Sequence, residues 1–150
     1  TKTETQMIKL KQQTFWRGTH KGVPFMVVNW GFDSSSINDK WNYYLYLLER
    51  NCVDFEKLWL PGTIVQFSEF SPKRVTYDYY PAFSSVEMHG GITYYEKQGE
   101  LVCRVVKIGC DFAHLYDEYA GWDLESVVDD MLVAIDSLYE NGYLKPLKSE

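Results

Sequence analysis

Cysteine is scarce in this sequence, and no two cysteines stand close together. The 150 residues include three, which are Cys52, Cys103 and Cys110. An odd number without a C-x-x-C pair indicates neither a disulfide framework nor a zinc site built from thiolates. A reducing, cytoplasmic setting is therefore the simplest expectation.

Long apolar runs are also missing. No segment approaches the roughly 20 consecutive apolar residues that a membrane-spanning helix needs. The polar opening at residues 1–6 lacks the layout of a secretory signal, which begins with positive charge and continues with an apolar stretch. The sequence thus predicts no association with a membrane.

Positive charge is in deficit, with 15 Lys and Arg against 21 Asp and Glu and a formal net charge of −6. This balance disfavours non-specific attraction to nucleic-acid phosphates. It suits either ordinary solubility or the binding of a basic protein surface. The sequence also lacks a glycine-rich phosphate loop with lysine, a G-x-S-x-G elbow and a recognisable Cys–His pair, so phosphate-loop and covalent-nucleophile enzymes are poorly supported.

The periodicity of the C-terminal residues predicts one long amphipathic helix. Apolar residues recur with helical spacing from Leu124 to Tyr139, Asp123 is a suitable N-cap, and Gly142 is a suitable stop. A second, short helix is predicted near residues 53–60, where apolar side chains again recur with helical spacing before a Pro-Gly pair.

Strand patterns occupy most of the remaining chain. Runs of β-branched and aromatic residues predict strands, namely a short edge strand within residues 7–16 and further strands at 24–30, 41–48 and 64–70. Residues 72–85 are predicted to be a connection. At this length we expect a single domain, residues 1–150. An antiparallel sheet with the long helix packed on one face gives an α+β class.

Two further runs, residues 92–95 and 101–108, predict a β-hairpin around a short polar turn with a glycine. If Tyr95 lies opposite Val102, the residues beyond it bring His89 close to the end of the second strand. One end of this hairpin is therefore the expected place for a polar site.

The residue types able to do chemistry gather at that end, and they are His89, Asp111, His114 and Asp117. Imidazole nitrogens and carboxylate oxygens in a D-x-x-H-x-x-D spacing, joined by a histidine from the neighbouring strand, are suitable ligands for a divalent metal such as zinc, manganese or iron. An open coordination position could hold an activated water. A metal-dependent hydrolase is thus one hypothesis.

The same residues allow two other interpretations. Asp111 could orient His114 as a general base or as a hydrogen-bonding group in a metal-free ligand pocket. Alternatively, these side chains satisfy backbone groups where the hairpin ends and have only a structural role. The sequence leaves all three open and assigns no catalytic residue.

Two short motifs mark the C-terminal half of the chain. Residues 86–94 read V-E-M-H-G-G-I-T-Y, and residues 109–117 read G-C-D-F-A-H-L-Y-D. Together with the C-terminal helix, they resemble a family of small, largely uncharacterised bacteriophage and prophage proteins with paired H-G-G-[L/I]-T-Y and G-x-D-x-A-H-x-x-D motifs. The resemblance implies a phage-encoded accessory protein that works in the cytoplasm of the bacterial host.

Small accessory phage proteins frequently counter host immunity, so the resemblance implies a counter-defence inhibitor. We expect it to bind a host immune effector, for example a CRISPR nuclease complex, or a nucleotide signal. The acidic charge favours a basic, nucleic-acid-handling target, because carboxylates can take the place of phosphates in its channel. The residues predicted to contact such a partner are Asp78, Tyr79, Tyr80, Asp129 and Asp130.

Overall fold

The computed structural model describes residues 14–29, 40–60, 63–66, 74–77, 80–83, 85–99, 103–112 and 121–147. These ranges contain seven strands and three α-helices. The strands are β1 (Thr14–His20), β2 (Val23–Asn29), β3 (Trp41–Leu48), β4 (Thr63–Gln66), β5 (Arg74–Tyr77), β6 (Tyr94–Gln98) and β7 (Val105–Asp111). The helices are α1 (Phe55–Trp59), α2 (Tyr80–Phe83) and α3 (Leu124–Glu140).

Five strands form one sheet in the order β1-β2-β3-β7-β6, and every neighbouring pair is antiparallel. β1 to β3 follow one another directly, whereas β7 returns from later in the chain to lie beside β3. β4 and β5 form a separate two-stranded antiparallel sheet. The centre of the large sheet is therefore built from β3 and β7.

Helix α3 begins and ends where the sequence predicts. The Asp123 carboxylate accepts a hydrogen bond from the Ser126 backbone N–H at 2.9 Å, and the Ser126 hydroxyl accepts one from the Asp123 N–H at 3.0 Å. This reciprocal pair is a capping box, which satisfies backbone donors at the helix start. Gly142 has a φ of 78°, the left-handed conformation that commonly ends a helix.

The core lies between one face of the sheet and α3. Side chains alternate along β3 and β7 so that every second residue is buried against the helix. The residues of both layers with no accessible surface are Val27, Tyr43, Leu45, Leu47, Val106, Ile108, Val127, Met131, Ala134, Ile135 and Leu138. This arrangement confirms the predicted α+β class, and α1 is the predicted short helix. No helix in the described part of the chain is long and apolar enough to cross a membrane.

Most strand predictions are confirmed, although β1 overlaps the edge strand expected within residues 7–16 only at residues 14–16. β2 and β3 match the strands expected at 24–30 and 41–48, and β4 covers the start of the strand expected at 64–70. The connection predicted for residues 72–85 is wrong, because this segment contains β5 and α2. Both elements have four residues, which is too short for a periodic pattern to be recognised. Residues 7–13 and 67–70 lie outside the described ranges.

The β6–β7 hairpin is confirmed, but its predicted register is wrong. Tyr95 lies opposite Ile108 and not opposite Val102. The shift is six residues (108 − 102), an even number, so residues that share one side of the sheet in the predicted pairing still share it in the structure. The second strand begins at Val105, later than the sequence pattern indicates.

Candidate functional site

His89 lies beyond the start of β6, at the end of the sheet where β7 finishes. Its ring is parallel to that of Phe112, with centroids 4.3 Å apart and 3° between the planes. The ring of Trp122, just before α3, contacts both of the others edge-on, at 4.9 Å from His89 and 4.6 Å from Phe112. We call these three residues the ring cluster. It joins the approach to β6, the end of β7 and the start of α3.

Asp130 of α3 connects this cluster to the core of the sheet. One carboxylate oxygen, Oδ2, accepts hydrogen bonds from the Tyr43 hydroxyl at 2.7 Å and from the His89 backbone N–H at 3.2 Å. Tyr43 is fully buried in β3. The carboxylate therefore satisfies two donors that would otherwise be costly to leave unpaired next to the core.

Two more polar side chains, Ser137 of α3 and Asn141, the residue after its end, hold the chain ahead of His89. The Ser137 hydroxyl accepts a hydrogen bond from the Glu87 backbone N–H at 3.0 Å, and the Asn141 side-chain amide donates to the Ser85 carbonyl at 3.2 Å. Residues 85, 87 and 89 are thus all fixed to α3 through their backbones. The start of the first sequence motif, residues 86–89, is therefore held against the helix by hydrogen bonds.

The buried polar groups beside Asp130 are neutral. Burial, the neighbouring Cys110 and the hydrogen bond to Asp130 raise the pKa of the Tyr43 hydroxyl far above its ordinary value. Burial likewise raises the pKa of the Cys110 thiol. A thiol with a raised pKa is a poor nucleophile and a poor metal ligand, because both roles need the thiolate. This junction is therefore suited to holding structure and to placing the His89 ring.

Asp111 occupies the other side of the sheet. Cys110 and Phe112 are buried on the core face of the chain, so the alternation of β7 directs Asp111 to the opposite face, where its charge contributes to raising the pKa of Tyr44. His89 contacts the core-face ring of Phe112 and lies on the α3 side. The structure therefore does not bring Asp111 to the ring of His89 on one face.

The other two predicted metal ligands, His114 and Asp117, lie outside the described residues. Within the described ranges, no group of three or more His, Cys, Asp and Glu side chains is arranged to hold a metal ion. The metal-dependent hydrolase, with its possible divalent metal, stays a prediction.

The predicted partner-binding residues have different positions. Asp78 and Tyr79 lie outside the described residues, and Tyr80 begins α2, with its side chain also outside them. Asp129 is exposed on α3. Its neighbour Asp130 is only partly exposed and is engaged by Tyr43 and His89. Of this adjacent pair, Asp129 is the residue presented to solvent.

The outward side of α3 is acidic. Glu125, Asp129, Val133 and Glu140 are exposed, and we call these four residues the acidic helix face. At 100° per residue they fall within an arc of about 80°, directed away from the buried side. Asp136 falls in the same arc, but it pairs with Lys21 at 2.7 Å and contacts His20 at 3.4 Å.

The side of the sheet opposite α3 carries tyrosines and cations. The Lys107 ammonium lies 4.4 Å from the ring centroid of Tyr44, 5.2 Å from that of Tyr94 and 5.5 Å from that of Tyr46. Tyr44 and Tyr94 also contact each other edge-on at 5.1 Å. Together with Arg17 on β1, these four residues define what we call the outer sheet face. Such contacts place a cation over the negative faces of aromatic rings.

A nearby carboxylate makes its hydrogen bonds to residues other than Lys107. Glu96 is the direct cross-strand partner of Lys107, yet its carboxylate accepts hydrogen bonds from the Tyr94 hydroxyl and from the Gln98 side-chain amide. These bonds, ahead of the charge of Lys107, lower the pKa of Glu96. Glu96 is therefore ionised at neutral pH but does not form a salt bridge with Lys107.

Sequence reasoning missed three residues of these surfaces. Phe112 and Trp122 were not expected to contact His89, and Lys107 was not expected to lie among tyrosines. The pairing of Tyr46 and Glu96 with Lys107 becomes visible only once the order β3-β7-β6 is known. The inward position of Asp130 could have been recognised from the sequence. Asp130 lies three residues after buried Val127 and four before buried Ala134, on the flank of the apolar side of the helix.

Comparison with known proteins adds no relative, because no protein-family model, curated protein or solved structure matches this chain.

Proposed function

We propose that this protein is a phage-encoded counter-defence inhibitor that binds a basic, nucleic-acid-handling host immune protein, for example a CRISPR nuclease complex, through the acidic helix face. The observation that carries the proposal is the composition of α3. Its 17 residues include five carboxylates and no basic residue. The phage setting rests on the resemblance of the two sequence motifs.

The arrangement of the carboxylates supports this choice of partner. Glu125 and Glu140 are separated by about 22 Å along the helix axis, at 1.5 Å per residue, with Asp129 between them. A line of negative charge of this length complements a groove in which Lys and Arg side chains receive a nucleic-acid backbone. Asp136 contributes less, because Lys21 and His20 already face it.

An apolar contact lies in the middle of the line. Val133 is 50% exposed and stands between Asp129 and Glu140 on the acidic helix face. Protein interfaces commonly have an apolar centre and a polar rim, and charge at the rim mainly speeds association. Val133 supplies that centre, which a purely solvating surface does not require.

The acidic helix face is held rigidly. The underside of α3 is buried in the core, its first turn is closed by the capping box, and its side chains fix the backbone of residues 85–89. A surface that is already ordered loses little conformational entropy when a partner binds. This rigidity favours direct, tight association.

The test is binding to a panel of purified host immune complexes, with CRISPR nucleases included, measured by biolayer interferometry at several salt concentrations. We expect micromolar or tighter association with a member of the panel. Asp129→Lys should weaken it by at least about tenfold, because like charges then meet in the interface. The matched control is Glu87→Lys, which makes the same change at an exposed carboxylate off the helix and should have little effect. Absence of association with every complex, or equal losses from both variants, would contradict the proposal.

A further inference from the structure

The outer sheet face contains a groove that the proposed protein interface does not use. Its volume is about 400 Å³, within the range of small-molecule sites. It is lined by Arg17, Gly18, Pro24, Phe25, Tyr46, Leu48 and Val105. The lining is mainly apolar, with one guanidinium at the rim.

A second cation borders this groove. Tyr46, which lines it, is the direct cross-strand partner of Lys107 in β7, and Lys107 lies two residues after Val105 on the same face. Arg17 on β1 stands at the other end. Because three strand-to-strand steps separate β1 from β7, the two strands that carry the cations lie about 14 Å apart.

Within the described residues, neither cation forms an ion pair. No carboxylate in the described part of the chain lies within salt-bridge distance of Arg17 or Lys107, although the chain as a whole has six more acidic than basic residues (21 − 15). The carboxylate directly across from Lys107 on the neighbouring strand, that of Glu96, is held by Tyr94 and Gln98. The ammonium instead rests over tyrosine rings and keeps its charge available to an external anion.

The acidic helix face does not screen these two cations. α3 packs on the opposite face of the sheet, and a helix is itself about 10 Å across. Its outward carboxylates are therefore farther from the groove than the screening length of about 8 Å at physiological salt.

We propose that the outer sheet face binds a nucleoside phosphate. The planar base fits against Tyr46 and the apolar lining, since tyrosine rings on a sheet are suitable stacking platforms for bases. The phosphate is bound by Lys107, and Arg17 closes the far rim of the groove. This site stands on different residues from the protein interface proposed above, so either can fail without the other.

The test is isothermal titration calorimetry of the full chain with AMP, GMP, CMP and UMP. Adenosine and inorganic phosphate serve as separate probes of the base and of the charge. We expect saturable binding of at least one nucleotide below about 1 mM, and weaker binding of adenosine and phosphate alone. Binding of phosphate as tight as that of the nucleotide would show an unspecific anion site and overturn the proposal, as would no saturable binding of any nucleotide.

Substitutions locate the site. Lys107→Met keeps the aliphatic stem over the tyrosine rings and removes the charge, so we expect binding to weaken by about tenfold or more, with recovery in Lys107→Arg. Tyr46→Leu should also weaken binding by about tenfold through loss of stacking. The matched control is Lys97→Met, on the other face of the neighbouring strand β6, where the ammonium lies 5.3 Å from the Trp59 ring. If Lys97→Met weakens binding as much as Lys107→Met, the assigned site is wrong.

Discussion

Helix α3 and the outer sheet face lie on opposite sides of one sheet and differ in their charges. The helix carries five carboxylates without a basic residue, whereas the sheet presents Arg17 and Lys107 among tyrosines, with the carboxylates of Glu96 and Asp111 on the same side. A formal net charge of −6 describes neither side. Because surface charges act over roughly one screening length, the local composition of each face decides which partners it attracts.

The two faces also differ in how they are held. The helix is anchored by a buried apolar side and by hydrogen bonds from Asp130 and Ser137 to the backbone that precedes β6. The outer sheet face depends on close contact between side chains and strands, most of all where the Tyr44 ring crosses Gly109. Helix α3 should therefore tolerate substitutions on its outward side, whereas the outer sheet face should be sensitive to substitution.

The largest expected effect separates the adjacent residues Asp129 and Asp130. Asp130→Ala removes the acceptor of the Tyr43 hydroxyl and of the His89 N–H, so the free energy of unfolding should fall by about 2–4 kcal/mol. Asp129→Ala, at an exposed position, should change it by less than about 0.5 kcal/mol. Urea denaturation followed by tryptophan fluorescence measures both. Similar losses in the two variants would mean that the inward and outward sides of α3 are misassigned.

The next effect tests the outer sheet face. A Cβ at Gly109 would lie 2.6 Å from the Tyr43 carbonyl oxygen and 2.6 Å from Tyr44 Cδ1. The carbonyl belongs to the neighbouring strand and cannot move without disturbing the sheet. We expect Gly109→Ala to destabilise the protein by about 1–3 kcal/mol and to displace Tyr44 from Lys107, which weakens nucleotide binding as well. An unchanged urea midpoint would show that this close contact does not exist in solution.

The smallest effect concerns pH. The hydrogen bonds from Tyr94 and Gln98 lower the pKa of Glu96 below its ordinary 4.5. A lowered pKa contributes stability that is present above the unfolded value and is lost as pH falls through the folded value. Glu96→Gln should therefore make the melting temperature fall less steeply below pH 4.5. The corresponding difference in the free energy of unfolding should be only about a few tenths of a kcal/mol, because the group is largely solvated. An identical acid profile for both proteins would argue against these bonds.

The sequence predicts α3 almost completely because long periodic segments with caps at both ends carry redundant signals. Leu124 to Tyr139, the Asp123 cap and the Gly142 stop are all found in the structure. The four-residue elements β5 and α2 carry no such redundancy. Elements this short depend on contacts with residues elsewhere in the chain, and a local sequence pattern does not show those contacts.

The register of the β6–β7 hairpin shows a different limit. Turn residues alone place Tyr95 opposite Val102, but β7 is also paired with β3 along its whole length, from Val105 to Asp111. That second partner fixes where β7 starts. A register set by a strand more than fifty residues away is not readable from the hairpin itself.

The position of His89 was predictable from the sequence, but its neighbours Phe112 and Trp122 were not. His89 does lie at the end of β7, where its ring contacts Phe112. The metal-binding chemistry of His89, Asp111, His114 and Asp117 does not predict the contacts of the His89 ring with Phe112 and Trp122 or the hydrogen bond from its backbone to Asp130. The position of His89 depends on Asp130 because α3 packs against the sheet. The spacing of residues 86–117 cannot predict that packing.

The most direct test of two separate binding faces is a backbone amide NMR spectrum of the labelled protein, titrated first with the tightest nucleotide and then with a short basic peptide. The peptide stands for the basic groove of a nucleic-acid-handling partner. We expect the nucleotide to shift the signals of Tyr46 and Lys107 and to leave Asp129 and Val133 in place, and the peptide to do the reverse. Shifts of the same residues by both ligands, or peptide shifts confined to the outer sheet face, would contradict the assignment of separate functions to the two sides of the sheet.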